Sequence, residues 1–155
     1  MRKLMQVFFA LLVFFLCTPI AHAGIDANAI KSSMMVAREN LVAMLDAPDA
    51  TAQDKHQEEI TKASQLVDDA IAAALADTET PPEQAAKLGE FQQVWGAFKK
   101  TRDEGIIPAI KAGRKADAKQ LATTIQLERV KKMKGILVEL GATINPASEP
   151  DQDCV

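Results

Sequence analysis

Tyrosine is absent from the 155 residues, tryptophan occurs once, and histidine and cysteine occur twice each. These scarcities exclude a good deal of chemistry. A Cys/His zinc site needs about four soft ligands. A covalently attached haem needs Cys-x-x-Cys-His, and a helical di-iron centre needs paired Glu-x-x-His motifs. None of these patterns occurs, so no cofactor and no metal is expected. Nucleophile motifs are missing too, and no carboxylate pair stands out from solvated helix faces. The expectation is a protein that is not an enzyme. Nucleic acid is a poor partner for a chain of net charge −3 without a binding motif. What is plentiful is apolar surface: 48% of the residues are hydrophobic, enough to build a core.

The first 23 residues read as an address. Arg2 and Lys3 give a positive start, Val7 through Cys17 forms an uncharged apolar run, and Pro19 breaks it. Ala21-His22-Ala23 then places small residues at the −3 and −1 positions of a cleavage site. These are the three parts of a secretory signal peptide, cleaved after Ala23, and they predict a periplasmic or secreted protein. The run falls short of the roughly 20 residues needed to span a bilayer. A lipoprotein signal is excluded because Leu16 precedes Cys17 where a small residue belongs. The mature chain then has 132 residues with 16 Lys/Arg and 21 Asp/Glu, a net charge of −5, one histidine, His56, and one cysteine, Cys154. In an oxidising compartment Cys154 has two fates, a free thiol or an intermolecular disulfide that would make a homodimer.

Beyond residue 24 the apolar residues recur at three and four rather than two, which is the helical period. Ile30, Met34, Ala37, Leu41 and Met44 form one stripe, and Ile60, Ala63, Val67, Ala70 and Ala74 a second. Leu88, Phe91, Trp95 and Phe98 start a third, continued in register by Arg102, Gly105, Ala109 and Ala112. Ala122, Ile125, Arg129, Met133, Ile136 and Leu140 make the fourth, with Leu121, Val130 and Leu137 beside them. Thr51 with Asp54 has the spacing of a capping box, and Thr80-Pro81-Pro82-Glu83 opens the third helix with an N-cap threonine. Gly113 and Gly141 end the third and fourth. Helices are predicted over 28–46, 52–77, 81–112 and 115–140. Short connections make them an antiparallel, up-down-up-down four-helix bundle over 24–141. Residues 142–155 lack periodicity and read as a flexible C-terminal tail. At about 1.5 Å per residue the first helix spans about 28 Å and the third about 48 Å. A bend near Gly105 and Pro108 is one way to absorb the mismatch, because proline cannot donate to the carbonyl of Glu104.

Charge is divided along the chain. Residues 24–90 hold 5 Lys/Arg and 13 Asp/Glu; residues 91–134 hold 11 and 4. Pairing between helix flanks is the favoured reading, with a basic face for an anion or a partner as the alternative. Arg102 and Arg129 each continue a core stripe, where a buried guanidinium needs partners and suits carboxylate or phosphate. They either converge on a small anion between helices or pair with Glu58, Glu59 or Asp103. Arg38, the only arginine of the first helix, is a third candidate. Trp95, Phe91 and Phe98 concentrate aromatic surface, more as a bundle centre than as a ligand cage, although Trp95 is retained as a ligand-binding candidate. His56 lies on the inward stripe of the second helix, and a haem held there is a third-ranked reading.

Phe91-x3-Trp95-x2-Phe98, followed by Ile110-x-Ala112-Gly113-x4-Ala118-x2-Leu121, resembles the periplasmic four-helix-bundle sensor domain of methyl-accepting chemotaxis receptors and related sensory proteins. Ala37-Arg38-x2-Leu41 in the first helix is compatible with it. The resemblance implies binding of small molecules such as amino acids or organic acids, often at a dimer interface lined by arginines. Arg38 is a candidate for that role only by its place in the first helix. Receptors of that family continue into a membrane helix and a cytoplasmic signalling region, whereas this sequence stops at Val155. The expectation is a stand-alone sensor-like domain that takes a small, anionic ligand and signals through another exported or membrane protein. The alternative is an interaction or stress-protection protein without a small-molecule pocket.

Overall fold

The computed structural model describes residues 24–143. The expected signal peptide over 1–23, the end of the expected tail and Cys154 lie outside the described residues. The chain forms α1 (Ala27–Asp46), α2 (Ala50–Ala76) and α3 (Pro82–Thr101). A π-helical turn, Arg102–Ile106, joins α3 to α4 (Ile107–Lys111), and α5 (Lys115–Thr123) and α6 (Ile125–Glu139) complete the bundle. There is no strand among the described residues. α1 packs mainly along α2, and α3 along α6.

The side-chain pairs between helices run in opposite directions. Asp54, Ser64 and Asp68 of α2 meet Lys111, Arg102 and Lys99 in descending order. Glu90 and Phe98 of α3 meet Lys132 and Gln126, and Asn28 at the head of α1 meets Thr143 beyond α6. Neighbouring helices are therefore antiparallel. The core holds Ile30, Met34, Leu41 and Met44 from α1, with Ile60, Val67 and Ile71 from α2. Leu88, Phe91, Trp95 and Phe98 fill it from α3, and Val130, Met133 and Leu137 from α6.

Local chemistry sets the helix ends, and two differ from the sequence expectation. Asp49, not Thr51, caps α2, its carboxylate accepting from the Ala52 amide at 2.8 Å. An aspartate two residues earlier reaches the free amides first, so α2 starts two residues sooner. Pro81 takes the cap position of α3, with Pro82 as first helical residue. Thr80 turns back instead, its hydroxyl donating to the Ala74 carbonyl at 2.7 Å and closing the end of α2. The two glycine stops form as expected. At Gly113 (φ +74°) the amides of Gly113 and Arg114 donate to the carbonyls of Ile110 and Ala109. Gly141 (φ +98°) repeats the pattern with Val138 and Leu137. In both, the chain turns left-handed to satisfy the last carbonyls, a conformation cheap only for glycine. Ala142 beyond it is buried, and the amide and hydroxyl of Thr143 both donate to Asn28 Oδ1. The head of the expected tail is thus docked on α1.

The long third and fourth helices are not continuous, and this corrects two stripes. The wide turn inserts one residue, and after Arg102 the buried positions are Ile106, Ile107, Ala109 and Ile110; Ala109 keeps its expected place, while Ala112 is exposed. The turn ends two residues before Pro108, whose missing N–H and bulky ring disfavour an ordinary turn. In the fourth helix Thr124 leaves helical geometry (φ −107°, ψ −95°). The hydroxyls of Thr123 and Thr124 donate to the carbonyls of Lys119 and Gln120, a back-bonding that competes with the helix ladder. Just past the break Gln126 is 2% exposed and Ile125 44%, while Met133, Ile136 and Leu140 further on are buried as expected.

Candidate functional site

Both irregularities occur at one level of the bundle, and the polar side chains buried there form a layer across α2, α3 and α6. Gly105 of the π turn faces α5 so closely that a Cβ would stand 3.2 Å from Leu121 Cδ1. Its role is close approach as well as compliance.

Arg102 opens the π turn and is 5% exposed. Its Nη1 donates to Ser64 Oγ on α2 at 2.7 Å. Nε and Nη2 donate to Asp103 Oδ1 and Oδ2 at 2.7 and 3.0 Å, a bidentate pair with the next residue in the chain. Adjacent residues on an α-helix do not face each other; the long arginine side chain and the altered π turn bring these two together. Ser64 in turn donates to the Ile60 carbonyl at 2.7 Å, which orients its oxygen as an acceptor for Arg102.

Arg129 serves the other side of α3. Its Nη1 donates to Thr101 Oγ1 at 2.6 Å and to Gln126 Oε1 at 3.0 Å. Gln126 Nε2 donates to the Phe98 carbonyl at 2.9 Å, one turn before the π segment. Arg102 and Arg129 therefore share a level yet hold different partners. Of the carboxylates expected for Arg102, Asp103 is the one it takes. Glu58 and Glu59 instead pair with Lys62. Those bonds hold the Glu58 carboxyl below its ordinary range and raise the Lys62 ammonium above its own.

One turn further along the α2–α3 seam lies a second cluster. Asp68 accepts from Trp95 Nε1 at 2.8 Å and from Lys99 Nζ at 2.7 and 2.6 Å. The Lys99 ammonium stands 5.7 Å from the Trp95 ring centroid. Trp95 is 1% exposed and stacked on Phe98 with centroids 5.3 Å apart; its ring belongs to the core. Arg38 is half-buried on α1. It lies near the level of Asn40, whose Oδ1 is 2.9 Å from His56 Nδ1. His56 precedes Ser64 by two helical turns, about 12 Å, so Arg38 is not in the Arg102 layer. Among the described residues no group of three His, Cys, Asp or Glu side chains could hold a metal.

Sequence reasoning missed Ser64, Thr101, Gln126 and Asp68. The Thr123-Thr124 doublet was the signal available for Gln126, since a break there moves it onto the buried face. A buried indole N–H needs an acceptor, which was the signal for Asp68.

The arrangement is an all-helical bundle whose buried polar groups are tied to one another. The chain belongs to the family of the four helix bundle sensory module for signal transduction, whose model matches residues 26–147. No curated protein and no solved structure matches it.

Proposed function

We infer that the chain works outside the cytoplasm as a non-enzymatic sensory module. It binds a small anionic molecule and turns that binding into a displacement of α1 and α2 against α3 and α6. Another exported or membrane protein reads the displacement. The observation that supports this reading is the coincidence of the π turn, the Thr124 break and the Arg102 and Arg129 layer at one level. π turns are frequent at functional sites, and interrupted helices have neighbouring arrangements of similar energy. The rival, an interaction protein acting through its charged halves, has less support. Lys99, Lys111 and Lys132 pair inside the bundle with Asp68, Asp54 and Glu90.

Trp95 makes the test direct, because it is the only tryptophan and bonds across the α2–α3 seam. A panel of amino acids and organic acids is screened by thermal shift and by Trp95 emission. At least one member is expected to raise the melting temperature and shift the emission. No response across the panel would count against a small-molecule ligand.

A further inference from the structure

Arg102 is more deeply buried than the carboxylate it holds. Its side chain is 6% exposed, whereas that of Asp103 is 53% exposed. The inner nitrogen, Nη1, is fixed to Ser64 on α2, and the fork formed by Nε and Nη2 is closed by an aspartate lying half in solvent. A guanidinium fork matches any carboxylate in the same bidentate geometry. Releasing Asp103 needs a rotation of one surface side chain into water. Arg102, the Ser64 bond and the π turn can stay where they are.

We propose that the Arg102 fork is a carboxylate-exchange site. Asp103 occupies it as a built-in competitor, and the carboxylate of a small organic acid displaces it. The proposal rests on the sensory reading above and names the binding group of that ligand. No bond is made or broken beyond the exchanged hydrogen bonds. The competitor sets a threshold. An ion pair half open to water holds its partner by a factor of about five, and the apparent affinity for an external carboxylate falls by the same factor. Lys99 lies one turn before Arg102 on the same seam, where it pairs with Asp68. That gives a dicarboxylate a second cation within reach of the fork.

The experiment titrates acetate and succinate into the wild-type protein, D103A and D103N, following the arginine Nε–H resonance of Arg102 by NMR. Asp103 itself is exposed, but its loss leaves the buried Arg102 fork without a carboxylate. Circular dichroism therefore checks the fold of both variants, and D103N keeps an amide oxygen as acceptor where D103A does not fold. Both are expected to bind succinate about fivefold more tightly than wild type, with the Arg102 resonance moving on titration. R102K, checked for helicity by circular dichroism, should lose the gain because an ammonium has no fork. Equal affinity in wild type and D103A would overturn the exchange site. If the organic-acid panel still shifts the Trp95 emission in that case, the sensory reading stands and only this site falls. Should neither D103A nor D103N bind a carboxylate, the fork is overturned as well.

Discussion

Gly89 and Gly96 lie inside α3, and a Cβ added at either would meet nothing within 4 Å. A helix-interior glycine without a packing reason costs about 0.5–1 kcal/mol relative to alanine. Gly89→Ala and Gly96→Ala should each stabilise the protein by that amount, measured by urea denaturation. Gly113 has the opposite sign. Its φ of +74° closes the helix, so Gly113→Ala should cost about 1 kcal/mol. Asp68 is a sharper case, since one carboxylate holds both the indole N–H of Trp95 and the ammonium of Lys99. Asp68→Ala leaves a buried donor unsatisfied, and about 1–3 kcal/mol should be lost. The Trp95 emission would report that loss in the folded state.

At the scale of elements, caps and breaks separate what was legible from what was not. Asp49 caps α2 where the Thr51 and Asp54 spacing suggested otherwise. Asp49→Ala should therefore cost about 1 kcal/mol, and Thr51→Ala, on an exposed side chain, less than about 0.5 kcal/mol. Equal costs would return the cap to Thr51. The stripe of α1 was fully legible, with Ile30, Met34, Ala37, Leu41 and Met44 all buried, and that of α2 nearly so. Ile60, Ala63, Val67 and Ala74 are buried, but Ala70 is half-buried and Ile71, not named in the stripe, takes the core position beside it. Periodicity works there because nothing interrupts the 3.6-residue repeat. It slips only around the two breaks, where one inserted or misplaced residue turns its neighbours by about 100°: Ala112 and Ile125 are exposed, whereas Ala109, Met133, Ile136 and Leu140 are buried as expected. Ile106 and Gln126 were lost to the reading for that reason. Arg102 could be singled out as a misfit on a core stripe, and Asp103 was among its weighed partners. Ser64 could not, since a buried serine bonded to its own helix has no distinct sequence pattern. The two breaks are tied together by Gln126. Replacing it with leucine should cost about 1–2 kcal/mol by removing the bond to the Phe98 carbonyl and an acceptor of Arg129.

For the molecule as a whole, the division of charge predicts how pH and salt act together. The acidic 24–90 stretch and the basic 91–134 stretch are joined by Lys99–Asp68, Lys111–Asp54 and Arg102–Ser64 between α2 and the third helix. Glu90, within the acidic stretch, pairs with Lys132 of α6, and that bond lowers its carboxyl below the ordinary range. Lys87 pairs with Glu139, which raises its ammonium. A lowered carboxylate stabilises the fold above its unfolded value, about 4.3 for glutamate. That contribution is lost as pH falls through the lower folded value. A raised ammonium stabilises below about 10.4 and is lost as pH rises through its higher folded value. The melting temperature should thus be nearly flat from about pH 5 to about pH 10 and fall on either side. Each exposed pair contributes little alone, so salt is the discriminating variable. At pH 7 the two stretches attract, and added salt should lower the melting temperature slightly by screening. At about pH 3 most carboxylates are protonated. The 11 Lys/Arg of residues 91–134 then repel one another without their acidic counterpart, and the same salt should raise it. A salt effect of one sign at both pH values would mean that the charge division has no part in holding α2 to α3.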